Sequence, residues 1–189
     1  MTRMTAADFE ARYRSDPDPW SYTTSGYERD KYAATLAACG SGPFEAALEL
    51  GASIGVFTEL LAPRCRSLVT VDAAESAVAQ ARSRLAGRSS VSVILGTLPG
   101  AIGAGDYDLV VASEILYYLD ESELARTLTA LERVMSTGAR LVAVHWRPEG
   151  PERPFGAAEV HARLRDLPWL MPVSAAPTPD YLLDVLERR

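Results

Sequence analysis

The sequence predicts a doubly wound α/β fold: a mostly parallel sheet with helices on both faces and a C-terminal antiparallel strand pair. Three observations predict it. Strand-like and helix-like runs alternate from residue 44 to residue 146. A glycine turn, Gly51-Ala-Ser-Ile-Gly55, directly follows the first strand candidate. Beyond residue 147 the pattern changes to a proline-rich loop, a short helix and two strand-like runs. Strands alternating with helices build a parallel sheet covered on both faces.

Residues 6–16 read as a short polar helix, ended by the two prolines of SDPDPW. Residues 26–39 form a helix with Tyr27, Tyr32, Leu36 and Cys39 at helical spacing. FEAALEL (44–50) is the first strand. The helix after the glycine turn carries Val56, Phe57, Leu60 and Leu61 on one stripe. SLVTVD (67–72) is an apolar strand ending in an acid. The next helix faces Val78, Ala81 and Leu85 inward and closes at Gly87. VSVILG (91–96) and YDLVVAS (107–113) are strands. ESELARTLTALERVMSTG has acids in its first turn, Leu124, Leu128, Leu131 and Val134 in register, and Gly138 as its stop. ARLVAVHW (139–146) is a long apolar strand, AEVHARLRDL a short helix, and the runs around Trp169–Val173 and Tyr181–Leu186 the terminal pair.

A chain of 189 residues suits one domain, 1–189, with 1–40 a helical lid segment and 44–189 the core. The net charge of −6 argues against nucleic acid, which needs a basic face. No apolar run is long enough to span a membrane. The first residues contain acids and lack an apolar centre, so they do not read as a signal peptide. Cys39 and Cys65 stand alone, without metal spacing, and read as reduced thiols of a cytoplasmic protein. No metal is expected.

In such sheets ligands bind beyond the carboxyl ends of the strands, where the strand order reverses. Gly51 and Gly55 serve a sharp turn and a close helix approach. A dinucleotide fingerprint wants glycines at 51, 53 and 56, but Ser53 and Val56 stand there. Glu49 would repel a pyrophosphate. S-adenosylmethionine carries no phosphate; its sulfonium and α-ammonium both suit an acid. Without a pyrophosphate, nothing requires a glycine at 53. Asp72 follows Gly55 by 17 positions, close to the spacing at which an acid grips ribose hydroxyls. The bland alternative is a small-residue packing turn with Asp72 as a helix cap.

ELGASIG, VTVDAAESAVAQAR, GTLP and DLVVASEILYYL together resemble class I S-adenosylmethionine-dependent methyltransferases, which have a Rossmann-like core, from about Phe44 to Trp146. DPWSYTTSGYERDKY, SEILYYL, VHWRPEG and AEVHARL are similar to the nodulation protein S-like (NodS-like) branch. The type member of that branch N-methylates a deacetylated chitooligosaccharide. The resemblance implies an N-methyltransferase of an amino sugar or similar small amine that binds S-adenosyl-L-methionine and releases S-adenosyl-L-homocysteine. By position, Glu49 and Gly51 would face the methionine part, Asp72 the ribose and Gly96-Thr97-Leu98 the adenine. Ala52, Ser53, Gly55 and Ala73 flank these contacts, Ser113 closes the site, and Trp20 and Arg29 join it from the lid. Many relatives carry an acid where Thr97 stands, so that contact is weaker here.

On the acceptor side, Glu114 suits an ammonium, and Tyr118 with Tyr117 walls the methyl path or packs beneath the loop. His145 either takes the acceptor's proton or is a structural histidine bonded to backbone. Glu114, His145 and Tyr118 are the catalytic candidates. His161 reads as structural or rim. Arg147 binds an anionic or sugar group or faces solvent. Trp20, Tyr22, Glu28, Arg29 and Tyr32 suit a lid. Two rival functions stay open: O-methylation of a small hydroxylated metabolite, and S-adenosylmethionine binding without transfer. The partner is a small-molecule acceptor.

Overall fold

The structure, a computed structural model, describes residues 3–189; Met1 and Thr2, included in the one-domain reading, lie outside them. Helix α1 (Ala6–Ser15) starts at a capping box: Thr5 accepts the Asp8 N–H and Asp8 returns the bond. Helix α2 (Gly26–Cys39) follows a loop holding Trp20 and Tyr22. Then come β1 (Ala47–Leu50), α3 (Val56–Leu61), β2 (Leu68–Asp72), α4 (Glu75–Arg84), β3 (Val91–Leu95) and β4 (Tyr107–Ser113). The chain continues through α5 (Glu121–Val134), β5 (Met135–Trp146), α6 (Ala157–Arg165), β6 (Leu170–Ala175) and β7 (Tyr181–Arg188).

The seven strands lie in the order β3-β2-β1-β4-β5-β7-β6. β1 to β5 are parallel; β7 runs antiparallel to β5 and β6 antiparallel to β7. The order reverses between β1 and β4, so the expected switch point exists, and β7 inserts between β5 and β6. Strand residues alternate between two layers. Leu48, Leu50, Val110 and Leu141 pack with Leu124, Leu128 and Leu131 of α5 and Leu164 of α6. Ala47, Leu68, Val111 and Val144 pack with Tyr32 and Cys39 of α2 and with Phe57 and Leu61 of α3. Among the described residues no helix is long and apolar enough to cross a membrane.

Three local expectations are corrected. Leu60 is 44% exposed, because the six-residue helix turns Phe57, Thr58 and Leu61 inward. Helix α5 stops at Val134, where Met135 becomes extended and begins β5. Gly138, at φ 80°, lies inside that strand, where the β4–β5 register shifts between Tyr107 and Leu109. The inward face of α2 is also not the apolar stripe expected. It carries Glu28, Lys31, Tyr32, Thr35 and Cys39.

Candidate functional site

A cavity of about 640 Å³ opens beyond the carboxyl ends of the strands at the switch point. That volume suits a small-molecule ligand. Of the residues expected there, Trp20, Gly51, Ser53, Asp72, Ala73, Thr97, Leu98, Ser113, Glu114 and Tyr118 line it.

The β1–β2 side is held by backbone. Asp72 Oδ2 accepts the Ser53 N–H at 2.8 Å and Oδ1 accepts the Ala74 N–H at 2.9 Å. Burial raises the Asp72 carboxyl above its ordinary value, against the pull of these donors. Each oxygen keeps acceptor capacity, since an ionised carboxylate takes about four hydrogen bonds. Ser53 has left-handed backbone, φ 49°. The position therefore does favour glycine, contrary to expectation; Asp72 and the Tyr13 hydroxyl, 2.5 Å from Ser53 Oγ, hold it in place. Gly51 and Gly55 have φ 83° and 80°. A Cβ at Gly51 would lie 3.0 Å from the Ser113 carbonyl, and one at Gly55 3.1 Å from Ala81.

Five expected site residues do not line the cavity. Glu49 points into the opposite layer, because it alternates with Leu48 and Leu50 along β1. There its Oε2 accepts the Thr58 and Thr70 hydroxyls at 2.6 and 2.8 Å. Burial raises its carboxyl to about 7, and the two hydroxyls oppose the rise. Ala52 is buried, its N–H bonded to the Val71 carbonyl at 2.9 Å. Gly55 packs against α4. Arg29 is exposed, about a quarter turn off the buried face of α2.

His145 is the fifth. It is fully buried beneath the 3₁₀ turn Leu116–Tyr118. Its Nε2 accepts the Leu116 N–H at 3.2 Å, so Nδ1 carries the proton toward His161 Nε2, 3.1 Å away. His161 Nδ1 lies 2.9 Å from Asp184 Oδ2, too bent for a proper hydrogen bond, and Arg165 pairs with the same carboxylate at 2.7 Å. Burial first, then His161, Lys31 and Arg153, push the His145 pKa well below the ordinary histidine value. His145 is a neutral support for the turn, out of reach of a ligand.

The β4–β5 side is built from side chains. Glu114, at φ 55°, accepts from Lys31 Nζ at 2.9 Å through Oε1. Its Oε2 accepts the Trp146 N–H at 3.0 Å and the Tyr117 hydroxyl. Lys31 also donates to Glu28 at 3.0 Å. Burial works to lower the Lys31 pKa, but Glu114 and Glu28 outweigh it and the net shift is upward. Tyr118 meets Phe9 edge-on at 4.9 Å. Burial raises its phenol, which therefore stays protonated. The Arg153 guanidinium lies over Tyr117 and Trp146, 4.7 and 5.1 Å from the ring centroids.

Sequence reasoning missed Lys31, Tyr13, Phe9, Tyr27 and Arg153. One signal was available. Residues 28, 31, 35 and 39 fall on one helical line, so Glu28 and Lys31 share the inward face of Thr35 and Cys39. Nothing in the local pattern brings α1 over the turn.

The profile of the family Nodulation protein S (NodS) matches residues 5–145. The chain is similar to Nodulation protein S of Rhizobium tropici, 33% identical over 127 residues, covering 66% of this chain and 53% of that one. It is similar to Nodulation protein S of Bradyrhizobium diazoefficiens, also 33% identical over 127 residues, covering 66% and 61%. The chain thus spans little more than half the length of the curated relatives it matches. Among solved structures it is similar to the N-methyltransferase NodS of Bradyrhizobium japonicum in complex with S-adenosyl-L-homocysteine. There the TM-score is 0.88 at 26% identity, over 98% of this chain and 99% of that one.

Proposed function

The chain belongs to the nodulation protein S (NodS) family, and from that premise we propose that it is an S-adenosylmethionine-dependent N-methyltransferase of a small amine, such as an amino sugar. The observation that carries the reading is Asp72. Its carboxylate lines the cavity at the end of β2 and is fixed by two backbone N–H groups, with acceptor capacity left for a ribose diol. When bound, S-adenosylmethionine supplies a methyl group already activated on its sulfonium. Thr97 and Leu98 bound the adenine side, and Ser113 closes the methionine side. Trp20, Tyr13 and Phe9 line the cavity with aromatic surface that would exclude water around a bound cofactor. Glu114, with three donors, holds the β4 end rigid.

On this reading residues 1–40 act as the lid and 1–189 as one methyltransferase domain. Free, buried Cys39 and Cys65 suit a cytoplasmic protein, and the net charge of −6 suits a small-molecule acceptor better than nucleic acid. O-methylation is less well supported, since His145, the base it leaned on, is sealed from the cavity.

A calorimetric titration with S-adenosylhomocysteine, S-adenosylmethionine and NAD tests the proposal. Both S-adenosyl ligands are expected to bind and NAD is not. Binding of NAD alone overturns the reading.

A further inference from the structure

An alkylamine is mostly an ammonium ion at neutral pH, and only the neutral amine can attack a methyl group. A group in the cavity must therefore take the proton, and the carboxylates there are not equivalent. Both oxygens of Glu114 are engaged, by Lys31 on one side and by Tyr117 and Trp146 on the other. Each Asp72 oxygen holds a backbone N–H on the far side of the switch point. Glu123 is bound by Arg3, and Glu152 is partly exposed to water at the rim.

Glu28 differs from all of these. Its side chain is 10% exposed, and Oε1 accepts Lys31 Nζ at 3.0 Å. Its Oε2 is buried and has no partner among the described residues. The hydroxyl of Tyr27, the preceding residue, is buried and unpartnered in the same way, and both residues line the cavity. A buried polar atom without a bond costs a few kcal/mol, a cost that a donor on a ligand removes. The charge points the same way: Glu28 and Glu114 face the single ammonium of Lys31, leaving one negative charge in excess. Tyr22 and Tyr27 lie close enough to feel the Glu28 charge and add aromatic faces of the kind that attract cations, as Lys31 over Tyr27 and Arg153 over Trp146 already show nearby.

We propose that Glu28 receives the acceptor: its Oε2 binds the ammonium group of the amine and takes its proton, while the Tyr27 hydroxyl bonds a neighbouring hydroxyl of the same molecule. The proposal rests on the methyltransferase reading and names its base. The ammonium N–H bond breaks, its electron pair stays on nitrogen, and the proton moves to Oε2. Ammonium and carboxylate become neutral amine and carboxylic acid, so no charge is stranded in the cavity. The N–C bond then forms as the S–C bond of the sulfonium breaks, S-adenosylhomocysteine and an N-methylammonium ion leave, and Glu28 gives its proton up to solvent. Lys31, Glu114, Asp18, Tyr22, Tyr27 and Tyr32 are the titratable neighbours of Glu28. Burial first, with Glu114 and Asp18, raises its carboxyl against the pull of Lys31, which suits a proton acceptor.

The test uses the wild type, Glu28→Gln and Tyr27→Phe. Glutamine keeps the size of the side chain and an oxygen for Lys31. Each protein is saturated with S-adenosylhomocysteine and titrated calorimetrically with glucosamine, galactosamine and ethanolamine. Methyl transfer from S-adenosylmethionine to the same amines is followed against pH. S-adenosylhomocysteine affinity is expected to be the same in all three proteins. Amine affinity is expected to fall about tenfold or more in Glu28→Gln, and by less in Tyr27→Phe. Turnover by Glu28→Gln is expected to climb with pH toward the pKa of the amine, where the free base supplies itself. The inference is overturned if Glu28→Gln matches the wild type in amine affinity and pH profile, or if no amine binds the loaded wild type. If Glu28→Gln fails to fold, unchanged amine affinity in Tyr27→Phe overturns it. Loss of S-adenosylhomocysteine binding by the wild type would instead sink the methyltransferase reading, and this assignment with it.

Discussion

Ser53 and Glu114 both carry left-handed backbone at the cavity wall, with φ of 49° and 55°, yet they are held by different means. The backbone of Ser53 is fixed within one β–α–β unit: Asp72, 19 residues on, accepts its N–H, and only its side chain meets α1, at Tyr13. Glu114 is fixed across the whole chain. Its N–H donates to the Val144 carbonyl at 2.9 Å, and Lys31, 83 residues away in sequence, binds its carboxylate. Strain of this kind persists only where surroundings over-determine it. The β1–β2 side of the cavity meets that condition with local bonds to backbone. The β4–β5 side, proposed to receive the acceptor, meets it with long-range side-chain pairs, so substitutions are expected to separate the two sides.

The largest expected effect is on the acceptor side. Lys31→Met leaves Glu28 and Glu114 facing each other in a buried site without their common cation. Removing one partner of such a buried pair costs about 3–5 kcal/mol, to be read from urea denaturation. A loss below about 1 kcal/mol, the level of a surface pair, would mean the cluster is effectively solvated.

Asp72→Ala strikes the other side. It is expected to weaken S-adenosylhomocysteine binding by about 2–4 kcal/mol in calorimetry, through lost ribose bonds and a loosened Ser53. Unchanged affinity would refute the ribose assignment.

Glu49, behind the cofactor turn, governs stability against pH. Its carboxyl moves from 4.5 to about 7 on folding. Between those values the unfolded chain has released the proton and the folded protein keeps it, so stability falls as pH rises. The fall is about 3 kcal/mol, fully expressed above pH 7. Glu49→Gln should remove that part of the slope in denaturation curves from pH 4.5 to 7. Glu28 and Asp72, also raised, retain a share of the same sign. An unaltered slope in the variant would mean that Glu49 ionises normally in the fold.

Tyr13→Phe is the mildest change. It removes the hydroxyl next to Ser53 Oγ and is expected to cost about 0.5–1.5 kcal/mol in S-adenosylhomocysteine affinity. A larger loss would show that α1 carries the cofactor turn rather than trimming it.

The parallel strands were legible because each holds an apolar run closed by a turn residue or an acid, as in LVTV before Asp72. The acids in the first turn of α5 were legible too, and the structure adds the cap, where Asp120 and Glu123 bond reciprocally. The end of α5 was not legible. Gly138 looked like a stop, but Met135 already pairs with Tyr107 of β4 and the ladder resumes at Arg140, so Gly138 sits in the irregularity between the two. Glu49 misled for a related reason. Its nearness to Gly51 is sequential, while the face it takes is set by strand alternation and by Thr58 and Thr70. His145 stands at a strand end as expected, but α6 closes over it through His161.

By itself, the sequence determined the parallel core, the glycine turn and the reach of Asp72 into it, since these depend on periodicity and on spacings within one strand–helix unit. Tertiary structure alone decided which acids face the cavity. A carboxylate's role depends on which donors reach it, and for Glu114, Glu28 and Glu49 those donors come from packing on one side of the sheet or the other.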